Sequence, residues 1–433
     1  MSTTQIKTDF GKVKWKEIMP EHEKRLVKNT FFLYLMQISS YVFPLLTFPY
    51  LTRILGAEKY GVVVFSNAVM QYFTLFIEFG FILSATNLCS QFRHDRERLG
   101  NITFGVMYAK IFLAIITGLI LIILCISVEN FKTNFLYFFL SYVGVFLTIF
   151  LPDFLFRGIE EMSVLTYRVI FSKLIYTITI FLFIHKPQDY IFVPLATVGA
   201  NVTAVLLTWY EIKKKGYISK VRVSRKEILV YLKESGTFFL SRVAVSMYTT
   251  LNTVLLGFKF SEAAMGQYGA ANSLISTGRS FISPISDSMY PYLVKNKNYR
   301  LVKKVLLIME PVIILGCLVL FFLAEPIIRI ICGEGYSEAV PVLRAMLPLV
   351  VISLPTYLFG YPVLGALGKI RVANTSVIIG SIFHITGLGM LFLMNRLNFI
   401  TISLLTVCTE IIIIVIRMFV IIKELHGGRN EYS

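Results

Sequence analysis

The chain has 433 residues, of which 56% are hydrophobic and only 15% charged, and its mean hydropathy is positive. That composition excludes a soluble globular protein and fits a polytopic membrane protein. The net charge of +17 would suit a nucleic-acid binder, but the basic residues are spread among loops without a zinc, helix-turn-helix or RNA-binding signature, so no nucleic-acid partner is expected.

Residues 1–28 are polar and lysine-rich and lack the apolar core of a secretory signal, so they are expected to stay as a cytoplasmic N-terminal segment. Apolar runs of about 20 residues then predict twelve spans. They cover 30–51, 61–87, 102–127, 135–156, 164–184, 190–210, 229–256, 266–293, 303–324, 341–366, 373–394 and 400–422. The domain reading is a first six-helix bundle (29–212), a basic cytoplasmic linker (213–227), a second bundle (228–424) and a cytoplasmic tail (425–433). Lysines and arginines fall mainly in alternate loops, which places both termini in the cytoplasm.

The chain repeats itself. Tyr60-Gly61 matches Tyr268-Gly269 at an offset of 268 − 60 = 208, and Leu151-Pro152-Asp153-Phe154-Leu155-Phe156 matches Leu354-Pro355-Thr356-Tyr357-Leu358-Phe359 at 354 − 151 = 203. Six spans return the chain to the same side, so these are parallel repeats about a central cavity. The expected fold class is therefore all-α.

Polar residues inside the spans are the informative ones, since a mid-helix charge costs about 2.5–3.5 kcal/mol on insertion scales. In span two Asn67, Gln71, Thr74 and Glu78 share one helix face; in span seven Arg242, Ser246, Thr249 and Thr253 do; in span eight Asn272, Ser276, Arg279, Ser283 and Asp287 do. Span one adds Thr30, Tyr34, Gln37 and Tyr41. Turning these faces inward gives a wet cavity between the halves, with Arg242 and Arg279 meeting an anionic substrate beside Asn67, Gln71, Ser246, Asn272 and Ser276. The competing reading makes Arg279 a structural ion pair with Asp287 or Glu310. Lys173, in span five, is expected to meet an acid from a neighbouring helix. Glu78, Asp287 and Glu310 are candidates for ion coupling, and Glu78, Glu310 and Glu410 equally for neutralising basic neighbours. Arg168, Lys233, Arg344 and Arg417, nearer helix ends, are expected to snorkel. His384, alone in mid-span, reads as a packed core histidine. Pro341, Pro348, Pro355 and Pro362 recur every seven residues in span ten and predict a bent, hinge-like segment.

No HExxH, GxSxG or Walker A loop is present, and the five cysteines form no CxxC, so a transporter without cofactor, metal site or bound ATP is expected rather than an enzyme.

The run Pro49-Tyr50-Leu51-Thr52-Arg53-Ile54-Leu55-Gly56 with Tyr60-Gly61, then Phe79-Gly80-Phe81 with Ser84-Ala85-Thr86, resembles the opening of Wzx-type polysaccharide flippases of the multidrug/oligosaccharidyl-lipid/polysaccharide exporter superfamily. Phe156-Arg157-Gly158-Ile159-Glu160, Gly333-Glu334-Gly335-Tyr336 leading to Ala339-Val340-Pro341-Val342-Leu343-Arg344, and Leu364-Gly365-Ala366-Leu367-Gly368-Lys369 extend the likeness over nearly all the chain after its first 25 or so residues. The resemblance implies a MATE-like V of two bundles in a bacterial inner membrane. By alternating access it would carry undecaprenyl-pyrophosphate-linked oligosaccharide, such as an O-antigen unit, to the periplasmic leaflet. A glycan polymerase or chain-length regulator would be the accompanying partner. The alternative from the same superfamily is an ion-coupled exporter of small molecules. A membrane glycan polymerase is disfavoured by the short outside loops, and an inert scaffold leaves the polar faces unexplained.

Overall fold

A computed structural model describes residues 21–219 and 221–427, and among them every regular element is helical. The N-terminal segment before Glu21, Lys220 in the linker and the tail beyond Gly427 lie outside the described residues. The first helix, α1 (Glu21–Glu78), is bent at Gly56, where φ 66° and ψ 174° interrupt the helical ladder. Glycine takes that conformation without a Cβ penalty. The two arms fold back on each other: the rings of Phe48 and Tyr60 are 6.0 Å apart, and both arms line one cavity.

The second expected span, 61–87, is not one helix. Phe79 (φ 40°) and Gly80 (φ 82°) break it, and α2 (Phe81–Gln91) continues at a new angle. An unbroken apolar run carries no mark of such a left-handed pair except the glycine.

The first half continues through α3 (Arg96–Ser127), the short α4 (Glu129–Thr133) and α5 (Phe135–Leu147). A break at Leu151-Pro152 leads to α6 (Asp153–Gly158), α7 (Met162–Phe183) and α8 (Phe192–Lys215). The second half comprises α9 (Arg225–Thr249), α10 (Leu251–Lys259), the long α11 (Glu262–Asn296), α12 (Tyr299–Phe322) and α13 (Ala324–Cys332). It ends with α14 (Ala339–Val351), α15 (Ser353–Leu358), α16 (Ile370–Leu393) and α17 (Phe399–Gly427). α9 starts on a capping box, in which Ser224 and Glu227 bond each other's backbone N–H.

Among the described residues, nine segments are long and apolar enough to cross a membrane. The difference from twelve has two sources. The first hairpin forms a single segment of 64 residues, Lys28–Gln91. The segments over spans seven and eight, α9 to α11, are not among the nine; they carry the polar faces. An all-α, multi-pass membrane fold is therefore established.

Span ten is bent as the prolines require. The chain passes from α14 into α15 and then into a π turn over Phe359–Leu364, where Gly360 leaves helical geometry at ψ −120°. Both copies of the repeated Leu-Pro motif thus mark helix breaks, and an arginine from another helix serves each. Arg168 makes a two-pronged bond to Asp153 at 2.6 and 2.9 Å, while Arg417 donates to the carbonyls of Thr356 (2.7 Å) and Ala373 (3.2 Å) and to Ser376 Oγ (2.9 Å). The expectation that these two snorkel is corrected: both are buried. A broken helix strands backbone carbonyls in hydrocarbon, and a guanidinium is the side chain with enough donors to satisfy several at once.

Candidate functional site

The halves meet along α1 and α11. At the end where α1 turns, glycines bring the two helix backbones into direct contact. A Cβ on Gly61 would lie 1.7 Å from the Glu262 carbonyl oxygen, and one on Gly266 would lie 1.9 Å from that of Ala57. One on Gly269 would strike Val64 at 2.3 Å. Backbone therefore touches backbone at Gly61 and Gly266, while the glycine of the second Tyr-Gly pair, Gly269, takes the Val64 side chain. Side chains around them close this hairpin end: Tyr336 donates to the Thr52 carbonyl at 3.1 Å, Asn134 to Glu262 at 2.5 Å, and Arg53 to the Ile330 carbonyl.

The opposite, linker end is joined by α2 and α3 against α9. Ser84 and Ser235 hydroxyls are 2.6 Å apart, Tyr231 donates to Asn101 Oδ1 at 2.7 Å, and Asn101 donates to Glu227 at 2.9 Å. Those bonds from Ser224 and Asn101 hold the Glu227 carboxyl below its ordinary range. The rings of Phe79 and Phe239 stack at 4.4 Å.

Between the two ends lies a cavity of 390 Å³, lined by both arms of α1, by Tyr176 of α7 and by α11. Its polar groups include Ser40, Tyr41, Asn67, Ser273, Ser276 and Thr277. Two of the sequence-predicted residues, Asn67 and Ser276, are therefore brought together here. Gln71 sits one turn on and accepts a 2.8 Å hydrogen bond from Thr250 across the halves; Tyr72 beside it donates to the Ser246 carbonyl at 3.0 Å. Asn272 is exposed, and its carbonyl accepts from Ser276. The side chain of Arg242 lies outside the described residues.

The charged candidates separate. Arg279 donates to Glu410 of α17 at 2.8 Å, and Glu410 is only 3% exposed as a side chain. The partner is thus neither Asp287 nor Glu310 but an acid 131 positions away that the α11 register could not single out. Glu78 accepts from the buried Lys110 of α3 at 2.7 Å. Asp287 is exposed, and Glu310 has a buried Oε2 with no hydrogen-bond partner among the described residues. His384 is fully buried between Asn252 (2.8 Å) and Thr409 (2.9 Å), a hydrogen-bonded core histidine as expected. Sequence reasoning missed Tyr176 and Ser273; Ser273 sits one position from the predicted α11 stripe.

Chemically, hydroxyls, amides and aromatic rings between two halves make a surface that can hydrogen-bond and stack on a polar solute without bonding to it covalently. This fold of broken membrane helices around such a cavity has solved counterparts. It is the fold of a MATE family multidrug transporter of the MOP superfamily solved in an inward-facing conformation, with a TM-score of 0.70, 14% identity, and 89% of this chain and 95% of that one covered. It is equally that of the lipid II flippase MurJ in an inward closed conformation, with a TM-score of 0.69, 15% identity, and 92% and 89% covered.

Residues 26–297 match the sequence profile of the polysaccharide biosynthesis protein family, and the chain belongs to that family. It is 29% identical over 352 residues to a putative O-antigen transporter of Escherichia coli strain K12, covering 80% of this chain and 85% of the relative. A putative O-antigen transporter of Shigella dysenteriae is 28% identical over 366 residues, covering 83% and 91%. The chain is a multi-pass inner-membrane transporter and not an enzyme.

Proposed function

We propose that the protein flips a lipid-linked oligosaccharide from the cytoplasmic to the periplasmic leaflet for cell-surface polysaccharide synthesis. Membership of the polysaccharide biosynthesis family carries this reading, and the uncharged, hydroxyl-rich lining of the central cavity supports it. In it the chain makes twelve passes in two parallel six-helix repeats, 29–212 and 228–424, with both termini cytoplasmic. A cavity of 390 Å³ falls at the small end of the about 300–1,000 Å³ usual for small-molecule sites, so an oligosaccharide passes only when the halves part at one end and then the other. Asn67, Gln71, Ser246, Asn272 and Ser276 contact sugar as the cleft opens, and Arg242, whose side chain lies outside the described residues, is proposed to meet the anionic group.

The second reading is an ion-coupled exporter of small molecules, and one observation favours it: the multidrug transporter fold fits as well as the flippase fold does. The neutralisation of Arg279 by Glu410 also removes one positive charge that the flippase reading would use, and leaves Glu78, Asp287 and Glu310 as coupling candidates. The two readings divide on cargo. Purified protein in vesicles is expected to speed the appearance of undecaprenyl-pyrophosphate oligosaccharide in the outer leaflet without moving a cationic dye. Dye movement driven by a proton or sodium gradient, with no glycolipid flipping, assigns the exporter function instead.

A further inference from the structure

A second cavity of 310 Å³ lies wholly within the first half, between the first arm of α1, α7 and α8. Pro44, Thr47 and Tyr176 line both this cavity and the central one, so a single proline-loosened turn and one ring form the shared wall. Along α7, Val169, Ser172, Lys173 and Tyr176 line it at i, i+3, i+4 and i+7, while Phe171, Leu174 and Ile178 are exposed on the outer face.

Two cations reach this cavity. Arg168 is spent on Asp153 through both oxygens. Lys173 is different: among the described residues no acid lies within 4 Å of its ammonium, which corrects the expectation that it meets one from a neighbouring helix. Among the described residues, the cavity's lysine therefore has no acid in ion-pair contact. The nearby hydroxyls of Ser172, Thr197 and Thr47 donate to the carbonyl one turn back, at 2.8, 3.2 and 3.1 Å, and being neutral they can accept from the ammonium but not cancel its charge. Asn201 spends one N–H on the Gly144 carbonyl at 2.8 Å and retains another. Three ammonium donors and an amide donor on the wall of a largely apolar cavity form a receptor for a compact oxyanion.

We propose that Lys173 binds a phosphate group in this cavity, and that the group is the phosphate of the lipid-linked cargo as it passes the Pro44 turn. The assignment of the cargo rests on the flippase reading; the phosphate site itself does not. The lysine, not Arg279, then supplies the free positive charge that an anionic headgroup needs inside the membrane.

The test measures melting temperature of the detergent-solubilised full chain with inorganic pyrophosphate, and with phosphatidylglycerol micelles, for wild type, Lys173→Gln, Lys173→Met and Lys173→Arg. Membrane protein level is measured for each, and Lys173→Met suits an apolar helix should the glutamine variant accumulate poorly. Pyrophosphate is expected to stabilise wild type and Lys173→Arg but neither neutral variant, with glycolipid flipping in vesicles at least tenfold slower in the neutral variants. Equal stabilisation of all four chains, or of none, overturns the site. Lysine-dependent stabilisation by phosphatidylglycerol alone assigns a resident lipid headgroup and overturns the cargo. Lysine-dependent pyrophosphate binding by a wild type that flips no glycolipid leaves the site standing, overturns its cargo assignment and fails the flippase reading.

Discussion

The two ends at which the halves touch are built from different materials. At the hairpin end the contact is backbone on backbone, possible only because Gly61 and Gly266 have no side chains. At the linker end Gly80 also lies against the α9 backbone, but less tightly, an added Cβ standing 2.8 Å from the Ser235 carbonyl oxygen. Side-chain hydrogen bonds share the joint, Ser84 with Ser235 and Asn101 with Tyr231 and Glu227, bonds that water can replace when the joint opens. A dry glycine contact is all-or-none, since any added atom has nowhere to go. A joint shared with side-chain hydrogen bonds opens at a smaller net cost. The difference predicts a hairpin end intolerant of substitution and a linker end that tolerates it.

The sharpest break of that comparison comes from filling the glycines. Gly61→Leu and Gly266→Leu each strike carbonyl oxygens that cannot rotate away, so the cost exceeds the about 1–3 kcal/mol typical of overpacking. Cell-surface glycan is expected to fall to background. Gly199→Ala, with nothing within 4 Å of its added Cβ, is expected to leave export unchanged and to raise stability by about 0.5–1 kcal/mol, as alanine does in a helix. Comparable loss from all three would mean that the glycines serve the helix rather than the contact.

The Arg279 pair ranks next. Removing one partner of a buried pair costs about 3–5 kcal/mol because the other charge is stranded. Arg279→Ala should therefore lower membrane protein level, and Glu410→Gln in the same chain should restore it. Restored level with export still absent would return Arg279 to the cargo path.

At the linker end, Asn101→Ala and Ser84→Ala each remove hydrogen bonds worth about 0.5–1.5 kcal/mol apiece. Export is expected to change by no more than a few-fold, in contrast to the glycines. The smallest effect is one of pH. Glu227 has a depressed carboxyl pKa in the folded chain, so its stabilisation is complete above the ordinary carboxyl value of 4.5 and is lost as pH falls through the lower folded value. Linker-end opening, read by labelling of a cysteine at Ser84, should rise in that acid range in wild type and show no such rise in Glu227→Gln.

Much of this was legible in the chain. Hydropathy located the helices, and the Tyr-Gly and Leu-Pro repeats fell at positions with a shared physical role, glycine contact and helix break respectively. The polar stripes of α1 and α11 led to a real cavity through Asn67 and Ser276. Ion-pair partners were not legible, because helical register states which face a charge occupies but not which helix faces it. Arg279 found Glu410, Arg168 found Asp153, and Lys173 found no acid among the described residues. The break at Phe79-Gly80 was hidden for a related reason: an apolar run is equally apolar whether straight or broken, and only contact with α9 shows why the glycine is needed.

Alternating separation of the two ends is the central claim, and crosslinking tests it directly. With the exposed Cys408 replaced by Ser, one chain carries Ser84→Cys with Ser235→Cys, and another carries Asn134→Cys with Glu262→Cys, a side-chain pair that spans the hairpin end without replacing its glycines. Each is oxidised in vesicles, assayed for glycolipid flipping, then reduced and assayed again. The account predicts that either crosslink stops flipping and that reduction restores it. Flipping at the uncrosslinked rate with either end covalently closed would contradict it.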